Sequence, residues 1–246
     1  MRAVILAAGT GSRLGEITKV RTKGMVPVMG QKLIDYLFDF LDFDSFDEVL
    51  VVGGFCYEDL RDHVLGRNLG KVRVLHNGEY MKGNIFTLAA ALKEFGDDSF
   101  LITNVDHIYP SAMFSAMKMS FRGITAMCDF DRTLGPDDMK VKLRSDGKTV
   151  QEISKQLGTF DCGYIGMTYV DRLMEKYYRS AVAETINRIG EKAVVENVLQ
   201  LIAGKDEKLP LICDLSGFGW YEVDDINDLR KAEAGLANDR NFTGIK

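Results

Sequence analysis

A small set of residues in this 246-residue sequence could bind a polyphosphate together with a divalent cation. The set comprises two glycines in one turn, two cations near that turn, and two aspartates that follow predicted strands: Gly9, Gly11, Arg13, Lys23, Asp106 and Asp224. Glycines in a turn allow backbone amides to approach phosphate oxygens closely. The cations can neutralise phosphate charge, and a pair of carboxylates suits Mg²⁺. These residue types therefore indicate phosphate chemistry with magnesium.

The turn itself, MRAVILAAGTGSRLG at residues 1–15, is compatible with a dinucleotide or with a nucleoside triphosphate. A dinucleotide site has a third glycine in this turn and, about twenty residues further on, a carboxylate that binds the ribose. Here Leu14 occupies the third glycine position, and the later region carries Lys19, Arg21 and Lys23. Lys19 and Arg21 are also compatible with a solvated basic loop. The positive charge of this region favours a triphosphate over a dinucleotide.

The elements that must position these residues alternate in the first half of the chain. Their apolar patterns predict strands at residues 4–7, 48–54, 72–75 and 100–106 and helices at residues 31–41, 58–65 and 85–95. Such alternation predicts an α/β protein with a Rossmann-like, mostly parallel sheet flanked by helices on both faces. Ligands of such sheets bind beyond the carboxyl ends of the strands, where the glycine turn and Asp106 are expected.

The second half of the chain has a different pattern. Strands are predicted at residues 124–129, 139–144, 150–154 and 163–168, with few helices between them. The Asp146-Gly147 pair predicts a hairpin. The last part returns to a helix at 194–202, a strand at 219–223 and a helix at 225–236. We therefore expect a mixed sheet with a smaller β-rich subregion.

Length and composition favour one soluble domain. A chain of 246 residues, 46% of them hydrophobic, can bury one substantial core, so we expect a single domain at 1–237 and a polar, frayed or linker-like tail at 238–246. The net charge of -5 argues against binding of nucleic acid or anionic membranes. The apolar run from Ala3 to Ala8 is too short for a signal peptide or a membrane helix, which favours a cytoplasmic location. The four cysteines are widely spaced, which fits reduced thiols better than zinc ligands or disulfides.

The segment LAAGTGSRLGEITKVRTKGMVPVMGQKLI, residues 6–34, resembles the signature of the nucleotidyltransferases that activate sugar phosphates and phospho-alcohols. In that family a lysine follows the arginine of the turn ten residues later, and Arg13 and Lys23 have this spacing. Many members have a proline before the lysine, whereas this chain has Thr22, which leaves the lysine in register. The resemblance implies catalytic roles for Arg13 and Lys23.

Further segments extend this resemblance along the chain. EYMKGNIFTLAAAL (79–92) is similar to the segment whose glycine lies against the nucleotide base, and ITNVDHIY (102–109) resembles the strand that ends in a metal-binding aspartate. GWYEVDDINDLRKAE (219–233) resembles the closing motif with the second metal carboxylate. The resemblance implies that Asp106 and Asp224 bind Mg²⁺. The implied nucleotide contacts are Leu6, Ala7, Ala8, Gly9, Gly11, Arg13, Asn77, Gly83 and Asn84.

The segment VQEISKQLGTFDCGYIGM, residues 150–167, most resembles a branch that makes CDP-alcohols and includes inositol-1-phosphate and phosphocholine cytidylyltransferases. By this resemblance Lys155 is the third catalytic cation and lies, with Lys23, near the acceptor phosphate. Asp161 and Glu196 are further candidate contacts of the acceptor.

The resemblance also implies a division of labour within the domain. Residues 1–122 would form mainly the nucleotide-binding half, 123–218 the acceptor-binding part, and 219–237 the closing metal motif and its helix. His107, next to Asp106, receives no catalytic role, because the attacking phosphate is already ionised and requires no general base.

The implied activity is that of a Mg²⁺-dependent cytidylyltransferase, which transfers CMP from CTP to a small phosphorylated alcohol or polyol and releases pyrophosphate. One alternative is a phosphonate acceptor such as 2-aminoethylphosphonate, and another is a sugar-1-phosphate uridylyl- or thymidylyltransferase. A ligand-sensing or scaffold protein of the same fold is the non-enzymatic alternative, although all four expected charged residues are present. The expected partners are thus CTP and a small acceptor, without nucleic acid or membrane insertion, and the oligomeric state stays open.

Overall fold

The computed structural model describes residues 1–205, 209–238 and 242. Its strands are β1 (Arg2–Ala7), β2 (Pro27–Val28), β3 (Gln31–Lys32), β4 (Glu48–Gly53), β5 (Val72–His76), β6 (Phe100–Asn104), β7 (His107–Ile108), β8 (Ile124–Asp129), β9 (Lys140–Leu143), β10 (Val150–Ser154), β11 (Cys162–Val170), β12 (Leu211–Asp214) and β13 (Tyr221–Glu222). Its helices are α1 (Leu33–Phe40), α2 (Tyr57–Gly66), α3 (Asn84–Glu94), α4 (Ser111–Lys118), α5 (Glu175–Ile189), α6 (Glu196–Ala203) and α7 (Ile226–Leu236).

Nine strands of the described chain form one mixed sheet, seven of them in the order β10-β9-β11-β6-β1-β4-β5. β1 pairs in parallel with β4 and β6, and β4 pairs in parallel with β5. β11 pairs antiparallel with β6, β8 and β9, and β12 joins the sheet through β8. The parallel pairs of β1, β4, β5 and β6 come from the alternating first half of the chain. The strands of the second half pair antiparallel, except that β12 is parallel to β8. This arrangement confirms the predicted fold class.

The central strand β1 is buried on both faces, because helices cover the sheet on either side. Val4 and Leu6 belong to the core that contains residues of α3, α5 and α6, whereas Ala3, Ile5 and Ala7 belong to the core that contains residues of α1, α2 and α4. Successive side chains of a strand point to opposite faces, so a continuous apolar run is required between two helical layers.

The helices differ from the predictions mainly in the second half. No helix lies between the strands predicted at residues 124–168, as expected. α5, which follows these strands and has fifteen residues, was not predicted. Its buried positions include Tyr178, Ala181, Val182 and Thr185, which have helical spacing but include small and polar side chains. α4 and β12 were also not predicted, and α1 begins at Leu33 rather than at residue 31. In the described ranges no helix is long and apolar enough to cross a membrane.

The predicted hairpin at Asp146-Gly147 is confirmed between the antiparallel strands β9 and β10. Gly147 adopts a left-handed φ of 65°, and its amide donates a hydrogen bond to the carbonyl of Arg144 at 3.0 Å. The Asp146 carboxylate accepts hydrogen bonds from the amides of Lys148 and Thr149, both at 2.9 Å. The turn thus has the local chemistry that its sequence indicated.

A two-stranded ribbon of β7 and β13 brings the segment that carries Asp106 next to the segment that carries Asp224. Glu222 pairs with His107 in the antiparallel register, and the Val223 amide donates to the Asp106 carbonyl at 2.9 Å. As a result, the segments that carry Asp106 and Asp224 lie side by side beyond the carboxyl end of β6.

The C-terminal tail predicted at 238–246 lies outside the described residues, apart from 238 and 242. Phe242 is 4% exposed, and its ring centroid lies 5.5 Å from that of Tyr221. This residue of the predicted tail therefore packs against β13, the strand that precedes Asp224.

Candidate active site

The glycine turn follows β1 and is held by the loop that carries Lys23. Gly11 has a left-handed φ of 65°, and an added Cβ there would lie 3.2 Å from the Lys23 Cβ. Thr22 is fully buried, and its hydroxyl lies within hydrogen-bond distance of two turn carbonyls, those of Ala7 at 3.1 Å and Gly9 at 3.3 Å. The residue that replaces the family's proline therefore connects the lysine loop to the turn.

Lys23 lies between the two predicted metal carboxylates. Its ammonium donates to Asp106 Oδ2 at 2.7 Å and also to Asp224 Oδ1. Arg13 donates through Nη2 to the other oxygen of Asp224 at 2.6 Å. The side chains of Asp106 and Asp224 are 20% and 15% exposed, so both ion pairs are mostly shielded from water on the carboxylate side. The structure thus brings together all four charged residues that the sequence singled out.

Asp106 and Lys23 each favour the charged form of the other. Burial opposes ionisation of Asp106, but the charges and hydrogen bonds of Lys23 and His107 outweigh it and hold the pKa of Asp106 well below its usual range. Burial likewise opposes the ammonium of Lys23, and the two aspartates outweigh it, so the pKa of Lys23 is raised. At neutral pH Asp106 is therefore a carboxylate in contact with the ammonium of Lys23.

His107 and Glu222 lie beside Asp106 and extend the cluster. His107 is 3% exposed and donates through Nδ1 to Asp106 Oδ1 at 2.6 Å, while its Nε2 lies 3.9 Å from Glu222 Oε1. One ligand atom each from Asp106, His107 and Glu222 lie within 4.8 Å of one another. These groups, with Asp224 beside them, form an oxygen-rich donor set of the kind that suits a hard divalent cation.

Glu222 was not among the predicted site residues, and His107 was predicted to have no catalytic role. A signal for Glu222 was present, because it lies near the end of the strand predicted at 219–223, two residues before Asp224, and residues i and i+2 of extended backbone share a face. The imidazole of His107 is stacked between the rings of Tyr109 and Trp220, with centroids 5.6 and 5.4 Å away. Gly166 allows this arrangement, since a Cβ there would lie 2.8 Å from the imidazole.

Two cavities meet at this cluster. The first has a volume of about 320 Å³ and is lined by Leu6, Ala8, Gly9, Thr10, Lys23, Tyr80, Met81, Gly83, Asn84, Thr87, Asn104, Val105 and Asp106. The second has a volume of about 170 Å³ and is lined by Arg13, Asn84, Asn104, Asp106, His107, Asp137, Asp138, Met139, Lys155, Tyr164, Gly166, Val194, Glu196, Glu222 and Asp224. Asn84, Asn104 and Asp106 line both, so the two cavities share a wall. We call them the turn cavity and the distal cavity.

Most predicted contact residues line one of these cavities. In the distal cavity, Lys155 is exposed and Glu196 is half-buried at the start of α6; burial raises the pKa of Glu196. In the turn cavity, Gly83 has a φ of 105°, and a Cβ there would lie 3.1 Å from the Glu191 carbonyl oxygen. The predicted nucleotide and acceptor residues therefore lie in two adjacent cavities without complete separation, since Arg13 lines the distal cavity and Lys23 lines the turn cavity.

Four predicted contact residues are not among those that line the two cavities: Ala7, Gly11, Asn77 and Asp161. Ala7 is fully buried and Gly11 packs on Lys23. Asp161 is exposed and accepts a hydrogen bond from the Leu143 amide at 2.7 Å. Asn77 is 4% exposed, and its amide donates to Thr87. The structure thus does not place these four residues in the lining of either cavity.

Gly9 and Gly83 offer a matched pair of substitutions at the turn cavity. Gly9→Ala should weaken nucleotide binding without loss of stability, because its Cβ would meet no atom within 4 Å but would project from a residue that lines the cavity. Gly83→Ala should instead lower the free energy of unfolding by about 1–3 kcal/mol, since its backbone conformation is strained for any other residue. Thermal unfolding and nucleotide titration of both variants measure this difference. Equal melting temperatures for the two variants would contradict it.

The hydrogen bond of His107 should orient the Asp106 carboxylate. His107→Phe retains a ring for the stack but loses the donor, and partners of this kind typically contribute about 10- to 100-fold in metal affinity or activity. We expect the Mn²⁺ affinity of His107→Phe, measured by the loss of the free-ion EPR signal, to be lower than that of the parent by about 10- to 100-fold. His107→Asn supplies a donor without the ring and should recover part of the loss. A Phe variant that binds Mn²⁺ as well as the parent would show that His107 only packs.

A model of the MobA-like NTP transferase domain family matches residues 3–130, which is just over half of the chain. The match begins in β1, includes the glycine turn, Lys23 and Asp106, and ends after β8. The matched range therefore includes the residues that line the turn cavity and Asp106, whereas Asp224 lies beyond it.

Two curated proteins and one solved structure are similar over nearly the whole chain. CMP-5'-(3-aminopropyl)phosphonate synthase of Streptomyces rubellomurinus is 26% identical over 95% of this chain and 38% of its own length, and the bifunctional IPC transferase and DIPP synthase of Rubrobacter xylanophilus is 28% identical over 94% and 51%. The chain thus spans about half or less of these relatives. The inositol-1-phosphate CTP transferase of T. maritima superposes with a TM-score of 0.78 at 19% identity, covering 97% of this chain and 96% of that one. This last similarity shows that the fold is shared.

Proposed function

Because the chain belongs to the MobA-like NTP transferase domain family, we propose that it is a cytidylyltransferase that transfers CMP from CTP to a small phosphorylated alcohol or polyol. One observation carries this proposal. Lys23, Asp106 and Asp224 form a single ion-pair cluster, and they line two adjacent cavities that share a wall. Such a site can hold two anionic substrates with their reacting phosphates next to each other.

In the proposed reaction, an oxygen of the acceptor phosphate forms a bond to the α-phosphorus of CTP. The bond from that phosphorus to the oxygen bridging it to the β-phosphorus breaks, and pyrophosphate leaves with the electron pair. The acceptor phosphate is ionised at neutral pH, so no residue has to remove a proton from it. Catalysis then depends on positioning and on neutralisation of charge.

The chain's own cations would supply that neutralisation. The amides of the glycine turn and Arg13 would hold the triphosphate, and Lys23 would approach the reacting phosphates from the turn cavity. Lys155, in the distal cavity, would hold the acceptor phosphate, and Glu196 would contact the rest of the acceptor.

The carboxylates that line the distal cavity form a donor set that fits a magnesium ion. Asp106 and Asp224 would hold it, with Glu222 near them, and all three offer the oxygen ligands that Mg²⁺ prefers. When bound, this ion neutralises negative charge on the phosphates that react.

A phosphonate acceptor is the second candidate. The similarity to an enzyme named as a synthase of CMP-5'-(3-aminopropyl)phosphonate favours it, because that name describes a CMP-phosphonate product. A phosphonate presents the same anionic oxygens to Lys155 as a phosphate ester does, so the same mechanism serves both acceptors.

The test is a product analysis with defined substrates. The protein is incubated with Mg²⁺, one of the four ribonucleoside triphosphates or dTTP, and inositol-1-phosphate, phosphocholine, 2-aminoethylphosphonate or glucose-1-phosphate; released pyrophosphate and product mass are measured. Formation of a CDP-alcohol would support the main proposal, and formation of a CMP-phosphonate would support the second candidate. Formation of a UDP- or dTDP-sugar would contradict both and indicate a sugar-1-phosphate uridylyl- or thymidylyltransferase. Arg13→Ala serves as a control for contaminating activity and should be slower by orders of magnitude. Absence of pyrophosphate with every pair would favour a sensing or scaffold role.

A further inference from the structure

A buried hydrogen-bond chain lies under the turn cavity and has a defined direction. The Glu79 amide donates to Asn77 Oδ1 at 3.0 Å, and Asn77 Nδ2 donates to Thr87 Oγ1 at 3.0 Å. The backbone amide of Asn77 is itself anchored to the Gly53 carbonyl at 2.8 Å. Because a backbone amide can only donate, it assigns the oxygen of Asn77 to Glu79 and the NH₂ group to Thr87.

The direction of this chain leaves the Thr87 hydroxyl with a proton to donate. Thr87 is 2% exposed and lines the turn cavity. A buried threonine in a helix often donates to the carbonyl four residues earlier, as Thr185 does to Ala181 at 2.8 Å. Among the described residues no acceptor for the Thr87 proton is found, and the bond from Asn77 is its single side-chain hydrogen bond.

An unsatisfied buried donor costs about 1–3 kcal/mol, so a ligand that supplies an acceptor at this point gains affinity. Gly83, one helical turn before Thr87, lines the same cavity. In the proposed function this cavity receives the pyrimidine base. Cytosine and uracil differ at ring position 3, where cytosine carries a lone pair and uracil carries a proton.

We propose that Thr87 donates a hydrogen bond to N3 of cytosine and that Asn77, by fixing the direction of that bond, selects CTP over UTP. The inference rests on the proposed function and deepens it. Asn77 is then a positioning residue, which accounts for its place below the cavity rather than in it. The oxygen of Thr87 could accept the N3 proton of uracil with its second lone pair, but the Thr87 proton would then be left without an acceptor.

One substitution can reverse the donor and acceptor roles in the hydrogen bond between residue 77 and Thr87. Asn77→Asp keeps the acceptor for the Glu79 amide but replaces the donor near Thr87 with a second acceptor. Thr87 would then donate to residue 77 and turn its lone pairs to the base, which suits the N3 proton of uracil. We expect the ratio of kcat/KM for CTP to that for UTP to fall by about 10- to 100-fold in this variant, the range of one misplaced buried hydrogen bond.

Two further variants and a control complete the experiment. Thr87→Val removes the hydroxyl at nearly constant shape and should lower the CTP to UTP ratio, whereas Thr87→Ser should retain it. Thr185→Val, in a buried helical position away from the cavity, should leave the ratio unchanged. Affinities for CTP and UTP from calorimetry provide a second readout that does not depend on turnover.

The outcomes separate this inference from the proposed function. If the parent protein neither binds nor uses CTP, the proposed function fails. If the parent prefers CTP and both Thr87→Val and Asn77→Asp keep that preference, the function stands and this inference is overturned. Equal weakening of CTP and UTP by Thr87→Val would place the hydroxyl at an acceptor that both bases share, and would overturn the specificity role.

Discussion

Asp106→Asn should slow CMP transfer by about 100- to 1,000-fold, the loss typical of removing one preorganised electrostatic contact at a reacting centre. The substitution keeps the shape of the side chain and removes its charge. It removes the negative partner of Lys23 and His107 at the wall that the two cavities share. Lys23 keeps Asp224 as a partner, so the fold should persist.

The measurement is the rate of pyrophosphate release at saturating substrates, with circular dichroism and thermal unfolding as checks of structure. Asp62→Asn, an exposed carboxylate on α2 that pairs with Arg61, is the matched control and should have the parental rate. A folded Asp106→Asn protein that retains a near-parental rate would remove Asp106 from the reaction.

Lys23→Met should lower the rate of CMP transfer and raise the affinity for Mn²⁺. Transfer should fall by about 100-fold or more, because a cation at the reacting phosphates is lost. Mn²⁺ should at the same time bind the nucleotide-free protein more tightly, by at least about ten-fold, since two opposite charges near a protein surface interact by about 4 kcal/mol at 4 Å and the ammonium competes for the same carboxylates.

The same loss of charge should lower the stability of Lys23→Met when no metal ion is bound. Without Lys23 the buried carboxylate of Asp106 loses a cation, and breaking a buried pair typically costs about 3–5 kcal/mol. We therefore expect a lower melting temperature of Lys23→Met in EDTA and a larger rise on addition of Mn²⁺ than in the parent, because an ion that binds only the folded state stabilises it.

Arg13→Met is the comparison for this effect. Its side chain is 56% exposed, so its ion pair with Asp224 is better screened and its removal should change Mn²⁺ affinity less. If Lys23→Met binds Mn²⁺ more weakly than the parent, the ammonium and the metal do not compete, and the carboxylates are not the metal site.

Local patterns were sufficient to predict the glycine turn, the strand before it and the hairpin at Asp146-Gly147. Each depends on residues that are neighbours in the chain, such as the apolar run of β1 or the turn residues themselves. The same reasoning missed α5, because its buried face includes Ala181 and Thr185, whose burial depends on what packs against them rather than on their own hydrophobicity.

The sequence by itself determined which residue types stand at the ends of the strands: the turn glycines, Arg13 and Lys23 at a fixed spacing, and an aspartate at each of two strand ends. Only the tertiary structure decided how they pair. Lys23 meets carboxylates 83 and 201 positions away, and Asn77 directs its amide to Thr87 and not to the cavity. Electrostatic and hydrogen-bond energies depend on distances between such groups, and residues far apart in the chain come within range only through long-range pairing, as when β7 pairs with β13 and brings Asp106 beside Asp224.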